Sequence, residues 1–319
     1  MPDRPRLTPE VADSRRAIRE LLESLGINNQ RLLIGLSGGA DSLSLTAAIG
    51  FEAEKLSIEP IAIIINHSLQ SNSAEVAENA KKTAEGLGVK AVIKKVTVGK
   101  QGGMENAARD ARYEAFENAL TEFDADYLVL GHNQNDQAES VLLGLMRGSG
   151  PRSIAGMQQV SGNYLRPFLQ LSRASLRQAC ADQGIEFWDD PQNEDSKFAR
   201  VEIRKILAQL EASGSSGVVA GLARTADQMR EAEEIIQPIV ENHIEQLGNP
   251  KVVSVEYLQF VDNSLRRRII HKLGQLNGVE LSRVHVLEIE KLVTNWHGQG
   301  PLSVPGITVE RVGNNLHLD

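Results

Sequence analysis

The chain has 319 residues, a net charge of −8 and a single cysteine, Cys180. That length suggests two domains, each with its own core. The acidic balance argues against a protein that coats nucleic acid nonspecifically, and one thiol excludes both an internal disulfide and a Cys-rich zinc site. The start, MPDRPRLTPE, is charged and proline-broken, with no apolar stretch long enough for a leader or a membrane helix, which predicts a cytoplasmic protein without a membrane partner.

Leu32, Leu33, Ile34 and Leu36 form an apolar run that reads as a buried strand, followed by the turn Ser37-Gly38-Gly39 and a helix. At such a junction the first N–H groups of the helix lack partners and the helix dipole points its positive end at the turn. Ser37, Gly38, Gly39, Ala40, Asp41 and Ser42 therefore make an anion cradle. Neither the G-x-x-x-x-G-K-[ST] nor the G-x-G-x-x-G spacing is present. Without a lysine, Asp41 repels a bare phosphate, unless a divalent cation such as Mg²⁺ bridges its carboxylate and the phosphate oxygens. The alternative makes Ser37 a helix N-cap and Asp41 a first-turn dipole partner.

Strand patterns recur at 57–66, 89–98 and 125–132, with helical patterns at 73–88, 104–123 and 136–148 between and after them. This alternation predicts an α/β fold, a parallel sheet with helices on both faces, whose ligands lie beyond the carboxyl ends of the strands. That edge gathers the turn at Ser37, the pair Asn66-His67 and the run from His132 to Asp136. Asp136 and Glu139, three apart, share one face of a new helix and suit a metal or an amine, or else form a solvated first turn. Glu105, Arg109 and Arg112 recur at helical spacing, as an ordinary salt-bridged face would.

Between Ser140 and Ala181 stand Arg147, Arg152, Arg166, Arg173 and Arg177 and no acid, followed by Lys197, Arg200, Arg204 and Lys205. Two basic groups in sequence suggest a polyanion partner. Cys180 lies on a helical face and reads as a small buried residue.

After Leu210 the stretch EASGSSGV reads as a linker, which divides the chain into residues 1–212 and 213–319. Helical patterns follow at 218–248, with Pro238 as a kink, at 254–278 and at 282–296. The tail alternates, with Asn314-Asn315 at a turn position, and predicts a terminal β-hairpin on a small, mainly helical second domain.

Taken in order, the segments SGGADS, INHSLQSNSAEVA, GMENAARDARYEAF, LVLGHNQNDQAESVLLGLMRGSG, LRPFLQLSRASL and FWDDPQNEDSKFARVEIRKIL resemble the tRNA(Ile)-lysidine synthetases. SGGADS alone marks only the wider N-type ATP pyrophosphatases, whereas DDPQNED…ARVEIR looks specific to the lysidine enzymes. The later helical part looks like the family's short form.

The resemblance implies a Rossmann-like PP-loop domain that uses ATP and Mg²⁺, followed by a tRNA-binding accessory domain. The implied reaction takes tRNA(Ile) with a CAU anticodon and free L-lysine: ATP adenylates O2 of the wobble cytidine, and the lysine amine then displaces AMP. On this chain the resemblance gives pyrophosphate to the backbone from Ser37 to Ser42, Mg²⁺ to Asp41 and Asp136, and nucleotide contacts to His67 and His132. Glu139 would accept the lysine ammonium, Arg109 and Arg112 would offset charge on the α-phosphate, and Arg200 and Arg204 would face the tRNA or the adenylate. A homodimer is left open. Asn133 stands where the family often has His, and Val201 where it often has Asn, so no role is carried to either. The competing readings are a PP-loop tRNA thiolase, which needs paired cysteines, and a nucleotide-binding module of the universal-stress kind.

Overall fold

The computed structural model describes residues 7–67, 73–96, 104–190, 199–214 and 217–319, with residues 104–106 and 199 by backbone alone. Lys197 and the side chain of Glu105, both singled out from the sequence, lie outside the described residues. The chain divides into two compact units, Met1–Arg230 and Glu231–Asp319.

In the first unit α1 (Pro9–Ser24) precedes β1 (Arg31–Leu36), α2 (Ala40–Leu56), β2 (Glu59–Asn66), α3 (Ser73–Gly86), β3 (Lys90–Lys95), α4 (Met104–Glu122), β4 (Tyr127–Leu130) and α5 (Gln134–Met146). There follow α6 (Pro151–Ile154), β5 (Val160–Ser161), β6 (Tyr164–Leu165), α7 (Arg173–Asp182), α8 (Ala199–Ala212) and α9 (Val218–Leu247), which runs past the boundary between the units. The sheet order is β3-β2-β1-β4-β6-β5, parallel from β3 through β6, with β5 antiparallel at the edge. Strand β1 is buried on both faces, which explains its unbroken apolar run. Leu32, Ile34 and Leu36 join the core shared with α1, α2, α3 and α7, and Leu33 joins the one shared with α4. Gly35 lies on that second face, where a Cβ would come 2.7 Å from Leu130 Cδ2 and 3.2 Å from Phe116 Cζ.

Because β1 is flanked by β2 on one side and β4 on the other, the chain reverses direction across the sheet there. The crevice beyond the carboxyl ends of β1 and β4 is the switch point at which such folds bind ligands.

Helix α1 and the β5–β6 hairpin of this unit were not among the expected elements. Helix α1 buries Val11, Ser14, Ile18, Leu21 and Leu22, a 3–4 spacing that reading only the first ten residues passes over. The β5–β6 hairpin consists of two-residue strands, too short to show alternation. Helix α8 lays Ile203 and Leu207 against Ala138 of α5. The Ser/Gly stretch read as a linker falls between α8 and α9 within the first unit, and its residues 215 and 216 lie outside the described residues.

The second unit contains residues 231–247 of α9, then β7 (Val252–Ser254), α10 (Val255–Phe260), α11 (Asn263–Leu276), α12 (Arg283–Thr294), β8 (Leu302–Val304), β9 (Ile307–Val312) and β10 (Asn315–Leu318). The helix expected over 254–278 is two helices, broken at Val261-Asp262. Asp262 is the N-cap of α11, and Arg266 Nη1 donates to the carbonyls of Leu258 and Val261 at 3.1 Å each, satisfying acceptors that the end of α10 leaves without intrahelical partners. The expected hairpin is part of an antiparallel sheet of order β7-β10-β9-β8. Its turn is Gly313-Asn314, with Gly313 at φ +61°, while Asn315 already pairs with Val312 and Ser254. Among the described residues no helix is long and apolar enough to cross a membrane.

Candidate active site

The turn after β1 is closed by the Ser42 hydroxyl, which accepts from the Ser37 backbone N–H (3.2 Å), donates to the Gly39 carbonyl (2.9 Å) and lies 3.1 Å from Ser37 Oγ. Gly38 turns the chain at φ +88°, where an L side chain is strained, and its carbonyl accepts from the Trp188 backbone N–H at 3.0 Å. The N-cap of α2 is Gly39, without a side-chain cap, so Ser37 does not serve as the cap. The first-turn N–H groups of α2 are left to bind an anion. Across the crevice Gly131 ends β4 so close to α2 that a Cβ there would stand 3.0 Å from the Asp41 carbonyl oxygen.

These elements border a cavity of about 490 Å³. Its walls include Ser37, Asp41, Ser42, His67, His132 and Asp136, together with Arg109, Arg112, Arg200 and Arg204. The sheet thus gathers sequence-predicted residues separated by more than a hundred positions. Glu139 is not among them. It is buried, with Oε1 held by Arg204 Nε at 2.7 Å and by Arg173 Nη2 at 3.3 Å. Both of these contacts are guanidinium groups, so Oε1 of Glu139 is already paired with cations.

The acidic wall is organised by α5. Asn133 caps it, its Oδ1 accepting from the N–H groups of Asn135 (2.9 Å) and Asp136 (3.1 Å), while its own N–H donates to Asp136 Oδ2 (3.0 Å). Asn133, given no role from the sequence, therefore fixes the Asp136 carboxylate. Burial, and then the charge of Asp136, push the Asp41 carboxyl up to about 6. Asp41 Oδ1 and Glu139 Oε2 are buried without a hydrogen-bond partner among the described residues. Two hard oxygen donors from neighbouring helix starts, one with an unpartnered oxygen, fit a cation of the Mg²⁺ type. No cluster of three or more His, Cys, Asp or Glu exists among the described residues, so phosphate and water would complete its shell.

The basic wall comes from α4 and α8. Arg109 and Arg112 approach the Tyr113 ring at 5.1 and 5.7 Å from its centroid. Burial lowers the Arg112 pKa, with the charges of Arg109 and Arg200 adding to the effect. Among the described residues none of these three arginines forms an ion pair, so their charge is available to an anionic ligand. His132 is pushed down to about 4, first by burial, and His67 is lowered by burial and by Arg112. Both imidazoles are held neutral, and the Nδ1 atom of each is buried without a partner among the described residues.

The basic run from 140 to 181 does not form one surface. Arg147 and Arg152 face solvent. Arg166 is 8% exposed and donates to the Gln158 carbonyl, Arg177 is paired with Asp189 at 2.7 Å, and Arg173 reaches into the acidic wall. Lys205 is exposed and paired with Glu202. Trp188, Asp190 and Tyr113 line the cavity but were not singled out; the quoted FWDD block contained the first two without a signal for their role. Cys180 is buried, and its Sγ donates to the Ala40 carbonyl at 3.3 Å, beneath the start of α2.

A family model described as a PP-loop domain matches residues 11–211. The tRNA(Ile)-lysidine synthase of Leifsonia xyli subsp. xyli is 45% identical over 288 residues, 88% of this chain and 87% of the relative. That of Streptomyces coelicolor is 39% identical over 290 residues, 88% of this chain and 82% of the relative. This chain belongs to the tRNA(Ile)-lysidine synthase family of PP-loop ATP-binding enzymes. A solved structure described as the U34-tRNA thiolase NcsA from Methanococcus maripaludis with its [4Fe-4S] cluster has a TM-score of 0.60 at 19% identity, covering 70% of this chain and 80% of its own. That likeness speaks for the fold alone. In this lysidine synthase family member, then, the crevice of the sheet is lined by the carboxylates Asp41 and Asp136 together with Arg109, Arg112, Arg200 and Arg204.

Proposed function

We propose that this enzyme attaches lysine to C2 of the wobble cytidine of tRNA(Ile) with a CAU anticodon. In the first step O2 of the base attacks the α-phosphorus of ATP and pyrophosphate leaves; in the second the lysine amine attacks C2 and AMP leaves with O2. The observation that carries this reading is one cavity lined both by the carboxylates Asp41 and Asp136 at two helix starts and by Arg109, Arg112, Arg200 and Arg204. The first-turn N–H groups of α2 hold the pyrophosphate, and Arg109 and Arg112 stabilise the charge that builds on the α-phosphate. Asp41 and Asp136 are the residues that would hold Mg²⁺, which when bound would offset phosphate charge. A neutral amine is required for the second step, and a carboxylate of the cavity wall would receive its proton. Arg200 faces the adenylate or the RNA, and Glu139 acts only through Arg173 and Arg204. The second unit is proposed to bind tRNA, and the chain to work in the cytoplasm.

The thiolase reading is disfavoured because one buried cysteine supplies neither a persulfide relay nor a cluster. Pyrophosphate release should require tRNA, and AMP release should require both tRNA and lysine. Equal release when sulfide replaces lysine would favour the thiolase, and no release under any combination would leave a nucleotide-binding module.

A further inference from the structure

Arg173 is the first residue of α7, and its backbone N–H donates to Asn135 Oδ1 at 2.9 Å, which ties the side chain's root to the turn of α5 that carries Asp136. From there one guanidinium serves three acids on two helices. Its Nη2 lies 2.8 Å from Asp136 Oδ1 and 3.3 Å from Glu139 Oε1, and its Nε lies 3.8 Å from Asp41 Oδ2. Burial works against the Arg173 charge, yet the three carboxylates outweigh it and raise its pKa. Asp136 Oδ2 is committed to the Asn133 N–H, so Oδ1, the oxygen that Arg173 holds, is the one that faces a second charge.

We propose that Arg173 is a positioning residue that makes cation binding depend on the nucleotide. The proposal rests on the reading that Asp41 and Asp136 are the cation's ligands. Without a counter-charge the two carboxylates repel each other, and the guanidinium supplies that charge and keeps them together. A divalent ion on Asp136 Oδ1 would stand within a few ångströms of the guanidinium, where like charges repel strongly at the low effective dielectric of a half-buried site. The phosphate oxygens of ATP bring the negative charge that relieves this repulsion. The ion therefore enters with the nucleotide, and the site is not filled by a free cation beforehand.

The test is Mn²⁺ binding, followed by electron paramagnetic resonance, to the full-length wild type, Arg173→Gln and Arg173→Lys, each with and without α,β-methylene-ATP. Without nucleotide, Arg173→Gln should bind Mn²⁺ at least about tenfold more tightly than the wild type, and the gap should narrow once the analogue is present. Arg173→Lys, which keeps the charge, should stay near the wild type. Mn²⁺ binding by Arg173→Gln that is equal to or weaker than the wild type's in the absence of nucleotide would overturn the proposal. Should Arg173→Gln fail to fold, the Nε resonance of Arg173 in ¹⁵N-arginine-labelled wild type decides. It should move when Mg²⁺ and the analogue are added together and stay in place with Mg²⁺ alone; movement with Mg²⁺ alone overturns the proposal. Mn²⁺ binding by Asp41→Asn as tight as the wild type's in the presence of the analogue would instead sink the ligand assignment on which the proposal stands.

Discussion

Each unit holds a cluster of arginines around buried carboxylates, and the two clusters differ in what they leave unpaired. In the second unit Glu290 takes Arg266 Nε at 3.1 Å on one oxygen and Arg267 Nε at 2.7 Å on the other, while Arg266 also satisfies the end of α10 and contacts Asn263. Arg268 is paired with Glu233 at 2.7 Å. One acid lies between two cations there, and the spare donors are spent on backbone carbonyls. In the first unit, among the described residues, Asp41, Asp136 and Glu139 are paired with Arg173 and Arg204, and two carboxylate oxygens have no hydrogen-bond partner. Saturation of charge and hydrogen bonds marks a structural cluster, and a deficit of positive charge beside an open cavity marks one prepared for a cationic ligand.

The largest effect should come from the unsaturated cluster. Asp41→Asn should lower AMP formation by more than about a hundredfold, beyond the loss expected for an outer-shell partner, with the thermal melting temperature unchanged. A melting shift with retained activity would place Asp41 in the saturated class. Next in size, Arg266→Ala should destabilise the fold by about 3 kcal/mol, because it strips a buried carboxylate and carbonyls of their donor. The loss should be read in chemical denaturation, with AMP formation unchanged at temperatures where the variant stays folded.

A smaller effect is expected on the exposed arginines. Arg147→Glu or Arg152→Glu should weaken tRNA binding and reduce the slope of log affinity against log salt by about one or less per contact, leaving ATP binding unchanged. Arg173→Glu, their neighbour in sequence, should instead abolish AMP formation. Smallest of all, Cys180→Ser should keep most of its lysine transfer, since a hydroxyl still donates to the Ala40 carbonyl. Burial pushes the Cys180 thiol from 9.0 up to about 12, so between those values the folded chain keeps a proton that the unfolded chain loses, and stability falls as pH rises through that window. The native thiol should accordingly resist iodoacetamide at neutral pH and react once the chain is unfolded in denaturant.

What the sequence made legible was local. The strand, turn and helix from Leu32 to Ser42 announce themselves by apolar run and glycine, and the rule that ligands gather beyond parallel strand ends brings His67 and Asp136 to the same cavity. What stayed hidden depends on partners far away in the chain. Arg173 and Arg147 look alike in a run without acids, and only folding brings Asp136 and Glu139, more than thirty positions upstream, against Arg173 while leaving Arg147 in solvent. Glu139 looked open because its spacing from Asp136 promised a shared face; α7 and α8 supply the arginines that cover it. The break between α10 and α11 was masked for the same reason. The apolar spacing continues across Asp262, and the side chain that caps the broken end, Arg266, lies beyond the break in α11.

The claim that this unsaturated site joins lysine to a base is tested most directly by incubating the enzyme with labelled lysine, ATP and total tRNA, then digesting the tRNA to nucleosides. The account predicts label in a single modified cytidine, lost when ATP is withheld and lost in Asp41→Asn. Label bound as an aminoacyl ester at the tRNA terminus, or no label while ATP is still consumed on tRNA, would contradict it.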